Sequence, residues 1–341
     1  MSDETPITIP QPIVKPTKHQ EKPSSPPERH GQPKIHPIII YPFGKPNYTS
    51  LGALYDKLIK KLSEKTDIYS RPITIINQQT HHNNTFWGHL DQQKYKEQVQ
   101  FFTNFQHDYV EAYSVVEQSW SVDTCQMWLD GFGKAYQEGN KGDVYWLIPG
   151  DFDYDKDAGK EVFQKIEEIP RLVRDGSYDL MLGEITVSLN SSKQLIDTYG
   201  TYGLLYNWFP AEAQGIRTIT DKPRTEFFAI SHSFLDAVLR RRWYPYEQTI
   251  VILLHGMRGK EQARRIHKID LGEISDSSDH RDSLASAMQQ VERTERVLKL
   301  YWREYHEQTQ DPNWRETFRK LDSQSQQIRG AALVILEQIL R

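Results

Sequence analysis

A strand–helix–strand unit near the start of the chain does most to limit its fold. Pro37-Ile38-Ile39-Ile40-Tyr41-Pro42 is a short apolar run that ends in Phe43-Gly44-Lys45-Pro46-Asn47. Leu51, Leu54, Tyr55, Leu58, Ile59 and Leu62 then recur at intervals of three and four, with Ser50 placed as an N-cap. Pro72-Ile73-Thr74-Ile75-Ile76-Asn77 is a second strand. Elements in this order make a parallel pair of strands joined by a right-handed crossover. The chain is therefore expected to be α/β, with a mostly parallel sheet flanked by helices.

The segment 143–153, Asp-Val-Tyr-Trp-Leu-Ile-Pro-Gly-Asp-Phe-Asp, adds chemistry to this frame. An apolar strand runs into a Pro-Gly break, and Asp151 and Asp153 follow with one residue between them. If the backbone stays extended there, residues two apart point the same way, and both carboxylates converge at the mouth of a buried strand. A hard divalent cation takes oxygen ligands of this kind and can share them with a diphosphate. Asp155 and Asp157 read as turn and helix-cap residues.

Further strands are expected at 109–116, 178–185 and 225–230, and helices at 91–105 and 128–136. A buried helix over 250–257 should begin near Tyr246. From about residue 282 the pattern changes. Leu284, Met288, Val291, Glu295, Leu298, Trp302 and Tyr305 alternate steps of four and three. Asp311-Pro312 reads as an N-cap with proline at the first helical position. Trp314, Phe318, Leu321, Ser325, Ile328, Ala332, Ile335 and Ile339 then repeat the spacing. Two amphipathic helices with heptad-like seams are predicted, packed antiparallel on each other and on the main domain, or used for a homodimer contact. Three regions result: a Pro-rich, disordered tail over 1–36, an α/β domain over 37–281, and a helical extension over 282–341.

Composition narrows the function classes. The 341 residues carry a formal net charge of −4, and the basic clusters Arg240-Arg241-Arg242 and Arg264-Arg265 are short, so nothing points to nucleic acid. No apolar run approaches the ~20 residues of a membrane span. The single cysteine, Cys125, excludes an intrachain disulfide and fits a reducing, cytoplasmic setting.

Several other residues are of the right type for a site. Glu247 precedes the apolar run Ile250 to Leu254, either as a first-turn carboxylate favoured by the helix dipole or as a carboxylate at a pocket rim. Ile269-Asp270-Leu271-Gly272 reads as a strand turning at a glycine, after which Asp276 or His280 could return a ligand to the cation. Asn190, Ser192 and Lys193 could grip an anionic or hydroxylated molecule, or cap a helix. His232 and His255 read as structural histidines, and the pair His81-His82 as a loop.

Taken in order, these motifs resemble the GT-A glycosyltransferases, in particular the family-2-like enzymes of the glucosyl-3-phosphoglycerate synthase and mannosylglycerate synthase type. The resemblance runs from about Pro37 to His280. It rests on Ile148-Pro149-Gly150-Asp151-Phe152-Asp153, a DXD metal motif, and on Arg224-Thr225-Glu226-Phe227-Phe228 in place of a Gly-Glu strand. It also rests on Tyr246-Glu247-Gln248-Thr249 at a helix start and on Lys268-Ile269-Asp270-Leu271-Gly272 in place of a Val-Asp-Leu-Gly strand end. The family's metal-binding histidine lies about four residues after that glycine, where this chain has Asp276; His280 is four further on.

The resemblance implies a Rossmann-like GT-A domain and an enzyme that moves a sugar from a nucleotide-sugar donor to a small, possibly anionic, hydroxylated acceptor, with retention. It implies Mg²⁺ or Mn²⁺ on Asp151, Asp153 and either Asp276 or His280. Donor contacts would come from Pro42, Phe43, Gly44, Asn77, Gln79, Asp151 and Arg224, and acceptor contacts from Asn190, Ser192 and Lys193. Glu247 and Glu226 would orient sugar and acceptor, with Glu247 as the base if the reaction inverts. The competing readings are a sugar-phosphate nucleotidyltransferase, for which a Gly-rich, basic first loop is missing, and a non-catalytic scaffold that binds a partner through the C-terminal helices.

Overall fold

A computed structural model describes residues 32–41, 52–78, 111–116, 123–150, 152–155, 157–186, 196–239, 248–258, 264–274, 284–309 and 311–340. Seven strands form one sheet in the order β3-β2-β1-β4-β6-β5-β7. They are β1 (Ile35–Tyr41), β2 (Ile73–Gln78), β3 (Glu111–Val116), β4 (Val144–Pro149), β5 (Leu180–Thr186), β6 (Phe227–Ser231) and β7 (Ile266–Glu273). β1 pairs in parallel with both β2 and β4, and β2 with β3. β6 runs antiparallel between β4 and β5, and β7 lies parallel to β5. The sheet is mixed and mostly parallel, as the sequence leads one to expect.

The central strands are largely apolar because both faces of the sheet are covered. All six residues of β4 are buried. Tyr145 and Leu147 face one core, with Ile38, Ile40 and the helix α2 (Asp123–Glu138). Trp146 and Ile148 face the other, with Ile39 and the first helical segment. That segment is helical from residue 52, passes through a π-helical turn over Tyr55–Ile59 and continues as α1 (Lys60–Glu64); its Leu54, Leu58 and Leu62 are buried, as the stripe predicts. The second core also takes α3 (Asp157–Lys165) and α4 (Glu168–Arg174). A π-helical turn over Ile196–Thr201, α5 (Tyr202–Trp208), α6 (Pro210–Ile219), α7 (His232–Leu239) and α8 (Gln248–Arg258) cover the first core.

The first strand starts inside the segment that the composition assigns to the tail. β1 starts at Ile35, and His36 is 3% exposed. Its Nε2 donates to Asp143 Oδ2 at 2.8 Å. His232 is structural, as expected: its Nδ1 meets the Tyr145 hydroxyl at 2.9 Å, and its ring stacks on Tyr136. Ser50 and the helix expected over 91–105 lie outside the described residues.

The C-terminal extension is two helices, α9 (Leu284–Gln308) and α10 (Trp314–Leu340). They run antiparallel: Trp302 meets Phe318, Lys299 pairs with Asp322, and Glu295 bonds Ser325 and Arg329. The polar seam positions explain each other, since the buried Glu295 also takes Lys299 at 2.8 Å. Trp208 and Asn207 of α5 hydrogen-bond Ser325 and the Leu321 carbonyl, which fastens the pair to the domain. The seam deviates at both ends. Met288 is 36% exposed while Ala287 is buried, and Leu336 is buried in place of Ile335 and Ile339. A straight helix of 3.6 residues per turn drifts against a strict heptad, so the buried stripe slides by one residue. α10 begins at Trp314; Asp311 Oδ1 instead accepts the Asn313 N–H at 2.9 Å.

Candidate active site

The parallel strands β1, β2, β3 and β4 all end on one edge of the sheet, at Tyr41, Gln78, Val116 and Pro149. β5 and β7 end there too, and β6 starts there. β2 lies to one side of β1 and β4 to the other, so the strand order reverses between β1 and β4. In open α/β sheets ligands bind outside the carboxyl ends of the strands at this kind of switch point.

The segment after β4 is fixed to that point. Gly150 N–H donates to the Ile40 carbonyl at 2.7 Å, tying the Pro-Gly break to the end of β1. The Tyr154 hydroxyl reaches back to the Pro149 carbonyl at 2.5 Å, and the Tyr154 N–H bonds the Phe152 carbonyl at 2.9 Å. The chain thus turns at Asp153 rather than continuing extended. Phe152 packs on Phe227 of β6, and Asp153 is 5% exposed. A carboxylate held there by the backbone of two strands is an oxygen donor suited to a hard cation.

A second polar group lies along β5 and β7 and at the turn before β6. Glu184 accepts hydrogen bonds from the Thr220 hydroxyl and, at 2.8 Å, from Lys268 of β7. Lys222 donates to the Ile185 carbonyl. Arg224 pairs with Asp197 at 2.6 Å, both buried, and reaches Gln290 of α9 at 2.7 Å. Thr225 donates to the Gly183 carbonyl, and Thr249 of α8 donates to the Thr225 carbonyl. Burial pushes the Tyr202 phenol well up, so it stays a neutral donor to the Thr220 carbonyl. These bonds fix the turn before β6, and the half-buried Glu226 follows directly on it.

Of the residues singled out from the sequence, Asp153, Arg224 and Glu226 have described side chains on this edge. The Arg224 guanidinium is engaged by Asp197 and Gln290. Asn77 is described through its backbone, at the end of β2 in register with Val115. Pro42, Phe43, Gly44, Gln79, Asp151, Asn190, Ser192, Lys193, Glu247, Asp276 and His280 lie outside the described residues. Their segments adjoin the ends of β1, β2, β4, β5 and β7 and the start of α8, all but the last being strand ends on this edge. Gly272, the expected turning glycine, has φ +90°, a left-handed conformation that favours glycine, at a bulge in the β5–β7 pairing. Among the described residues no three His, Cys, Asp or Glu side chains converge to hold an ion, and no helix is long and apolar enough to cross a membrane.

Glu184 and Asp197 escaped the sequence reading. Glu184 follows the apolar run Leu180-Met181-Leu182-Gly183, the same sign of a carboxylate at a strand end that marked Asp151. Asp197 gives no such sign, because its partner is 27 residues away.

No family description and no curated protein matches the sequence. Among solved structures, the chain is similar to glucosyl-3-phosphoglycerate synthase from Mycobacterium tuberculosis in complex with Mn²⁺, uridine diphosphate and glucosyl-3-phosphoglycerate. The identity is 13%, over 77% of this chain and 78% of that one, with a TM-score of 0.49. Mannosyl-3-phosphoglycerate synthase from Rubrobacter xylanophilus matches at 13% identity, over 79% and 75%, with a TM-score of 0.39. TarS of S. aureus matches at 10% identity, over 76% of this chain and 39% of that one, with a TM-score of 0.34.

Proposed function

We propose that the chain is a metal-dependent glycosyltransferase that moves a sugar from a nucleotide-sugar donor to a small, hydroxylated and possibly anionic acceptor, with retention. The observation that carries this reading is the buried Asp153 carboxylate, on the turn that follows β4 beside the switch point between β1 and β4. Its oxygen chemistry fits Mg²⁺ or Mn²⁺. Asp153 and Asp151, with Asp276 or His280, would hold the ion, which when bound offsets charge on the departing diphosphate. The 42–44 segment after β1, with Asn77 and Gln79 after β2, would receive the nucleotide. Arg224, fixed by Asp197, would hold the turn that presents Glu226 to the sugar. Asn190, Ser192 and Lys193, after β5, would take the acceptor.

The test is turnover of UDP-, GDP- and ADP-sugars with Mn²⁺ or Mg²⁺ and with EDTA. Release of nucleoside diphosphate only with the cation supports the reading. Pyrophosphate release from a nucleoside triphosphate and a sugar phosphate would show a nucleotidyltransferase, and no turnover with any donor would favour a scaffold. The single cysteine supports a cytoplasmic setting. Val334 and Ile339, 54% and 49% exposed on α10, support a homodimer through the C-terminal helices, which light scattering at known concentration checks.

Glu247 separates the two stereochemical courses. A general base contributes about a hundred- to ten-thousandfold to turnover. With retention no protein base is required, so Glu247→Gln should lose less than that and part of the loss should appear as weaker binding. The anomer of the product, read by NMR, is expected to match the donor. An inverted anomer together with an inactive Glu247→Gln enzyme would overturn retention.

A further inference from the structure

We propose that Gly159 and Tyr154 are positioning residues for the turn that carries Asp153, an assignment that rests on the glycosyltransferase reading of that carboxylate. Tyr154 is fully buried, and α3 holds it by both ends. Its ring stacks on Phe163 with centroids 5.4 Å apart. Its peptide lies against Gly159, one helical turn before Phe163 on the same face of α3. A Cβ on Gly159 would stand 2.7 Å from the Tyr154 carbonyl oxygen and 2.9 Å from its carbonyl carbon and Cα. That is closer than real Cβ atoms come, and the obstacle is backbone, which has no rotamer to yield. Only glycine lets the first turn of α3 sit so close.

The Tyr154 hydroxyl closes the loop on the Pro149 carbonyl at 2.5 Å. Pro149 and Tyr154 are thereby joined across the segment that contains Asp153, and α3 presses the joint in place. The same helix reaches the end of β7. Glu161 Oε2 would lie 2.9 Å from a Cβ on Gly272, so α3 spans the two strand ends from which ligands are expected. A metal site tolerates little error in the supports of its ligands. Gly159 and Tyr154 act on the cation only through Asp153.

Two variants test this on the full chain. Gly159→Ala forces the Tyr154 peptide away. Tyr154→Phe keeps the ring packing and removes the bond to Pro149. Gly133→Ala in α2, where a Cβ meets nothing within 4 Å, is the control for the bare substitution. The first readout is hydrogen–deuterium exchange of the peptide spanning 150–155 without ligand. The second is Mn²⁺ affinity by electron paramagnetic resonance with UDP, GDP or ADP present. Each variant is expected to speed exchange and to weaken Mn²⁺ binding about ten- to a hundredfold, the size usual for residues behind a metal ligand. The double variant should lose less than the product of the two, because both act on one turn. The control should change neither readout.

Unchanged exchange in both variants would overturn the proposal. So would a lowered melting temperature with wild-type Mn²⁺ affinity, since that is what a merely structural role gives. A wild-type chain that binds no Mn²⁺ with any of the three nucleotides would sink the reading of the site, while the exchange data would still decide whether the two residues fix the turn.

Discussion

Asp153→Ala should abolish sugar transfer and cation-dependent nucleotide binding while leaving the protein folded. The carboxylate lies just past the last residue of β4, on the edge where every parallel strand ends. Losing one preorganised group that stabilises developing charge commonly costs a hundred- to a thousandfold in turnover. A direct metal ligand should cost at least that, about a thousandfold or more. Asp153→Asn should behave almost as badly, because the amide keeps the shape but lacks the charge that a divalent cation selects. Thermal stability should change little in either variant, by a few degrees at most. The turn is held by the backbone bonds of Gly150 and Tyr154, by the Tyr154 hydroxyl on the Pro149 carbonyl and by the packing of Phe152, all of which remain in both variants. Isothermal titration with nucleoside diphosphate, with Mn²⁺ and with EDTA, is the direct check. If Asp153→Ala binds nucleotide with the wild-type dependence on cation, the metal assignment is wrong.

The parts of the fold that depend on local pattern were legible in the sequence. β1, β2 and β4 are short apolar runs between breakers, and the helical stripe after β1 buries Leu54, Tyr55, Leu58, Ile59 and Leu62, as its spacing predicts. The Pro-Gly break after Ile148 marks the end of β4, and Asp153 follows it on the edge where the parallel strands end. Bonds between distant residues were not legible. His36 sits in a segment whose proline content reads as tail, and its bond to Asp143, 107 residues on, appears only in the folded chain. The pairing of Arg224 with Asp197 was not legible either, because Asp197, in a π-helical turn with no sequence mark of its own, meets it only when the chain folds. Lys268 and Glu184 meet only because β7 pairs with β5. The turn at Asp153 is local and was still not legible. A Pro-Gly break says that a strand stops, but the bond from Tyr154 back to Pro149 says where the chain goes next.

Asp143 should prove the most costly single truncation away from the site. Its Oδ1 accepts the Lys34 N–H at 2.8 Å, and its Oδ2 accepts the Asn140 N–H at 2.7 Å and His36 Nε2 at 2.8 Å. The side chain therefore ties the start of β1 to the start of β4, next to Tyr145, on whose ring His36 stacks. Burial alone would raise the Asp143 carboxyl; the hydrogen bonds from His36, Lys34 and Asn140 outweigh it and hold the group below its ordinary value of 3.8. A carboxylate depressed in this way stabilises the folded state above its unfolded-state value, and the contribution is lost as pH falls through the folded-state value. Asp143→Ala leaves buried donors with no acceptor. Breaking a buried pair by removing one partner costs roughly 3–5 kcal/mol. For a chain of this size that lowers the melting temperature on the order of 10 °C at neutral pH. The variant should also lose part of the wild type's fall in stability below about pH 4, since it no longer has this carboxyl to protonate. Urea unfolding from pH 7 down to pH 3 measures both effects. A variant with the wild-type midpoint at pH 7 and an unchanged acid limb would show that the bonds of Asp143 in the folded state are matched by bonds of equal worth in the unfolded chain.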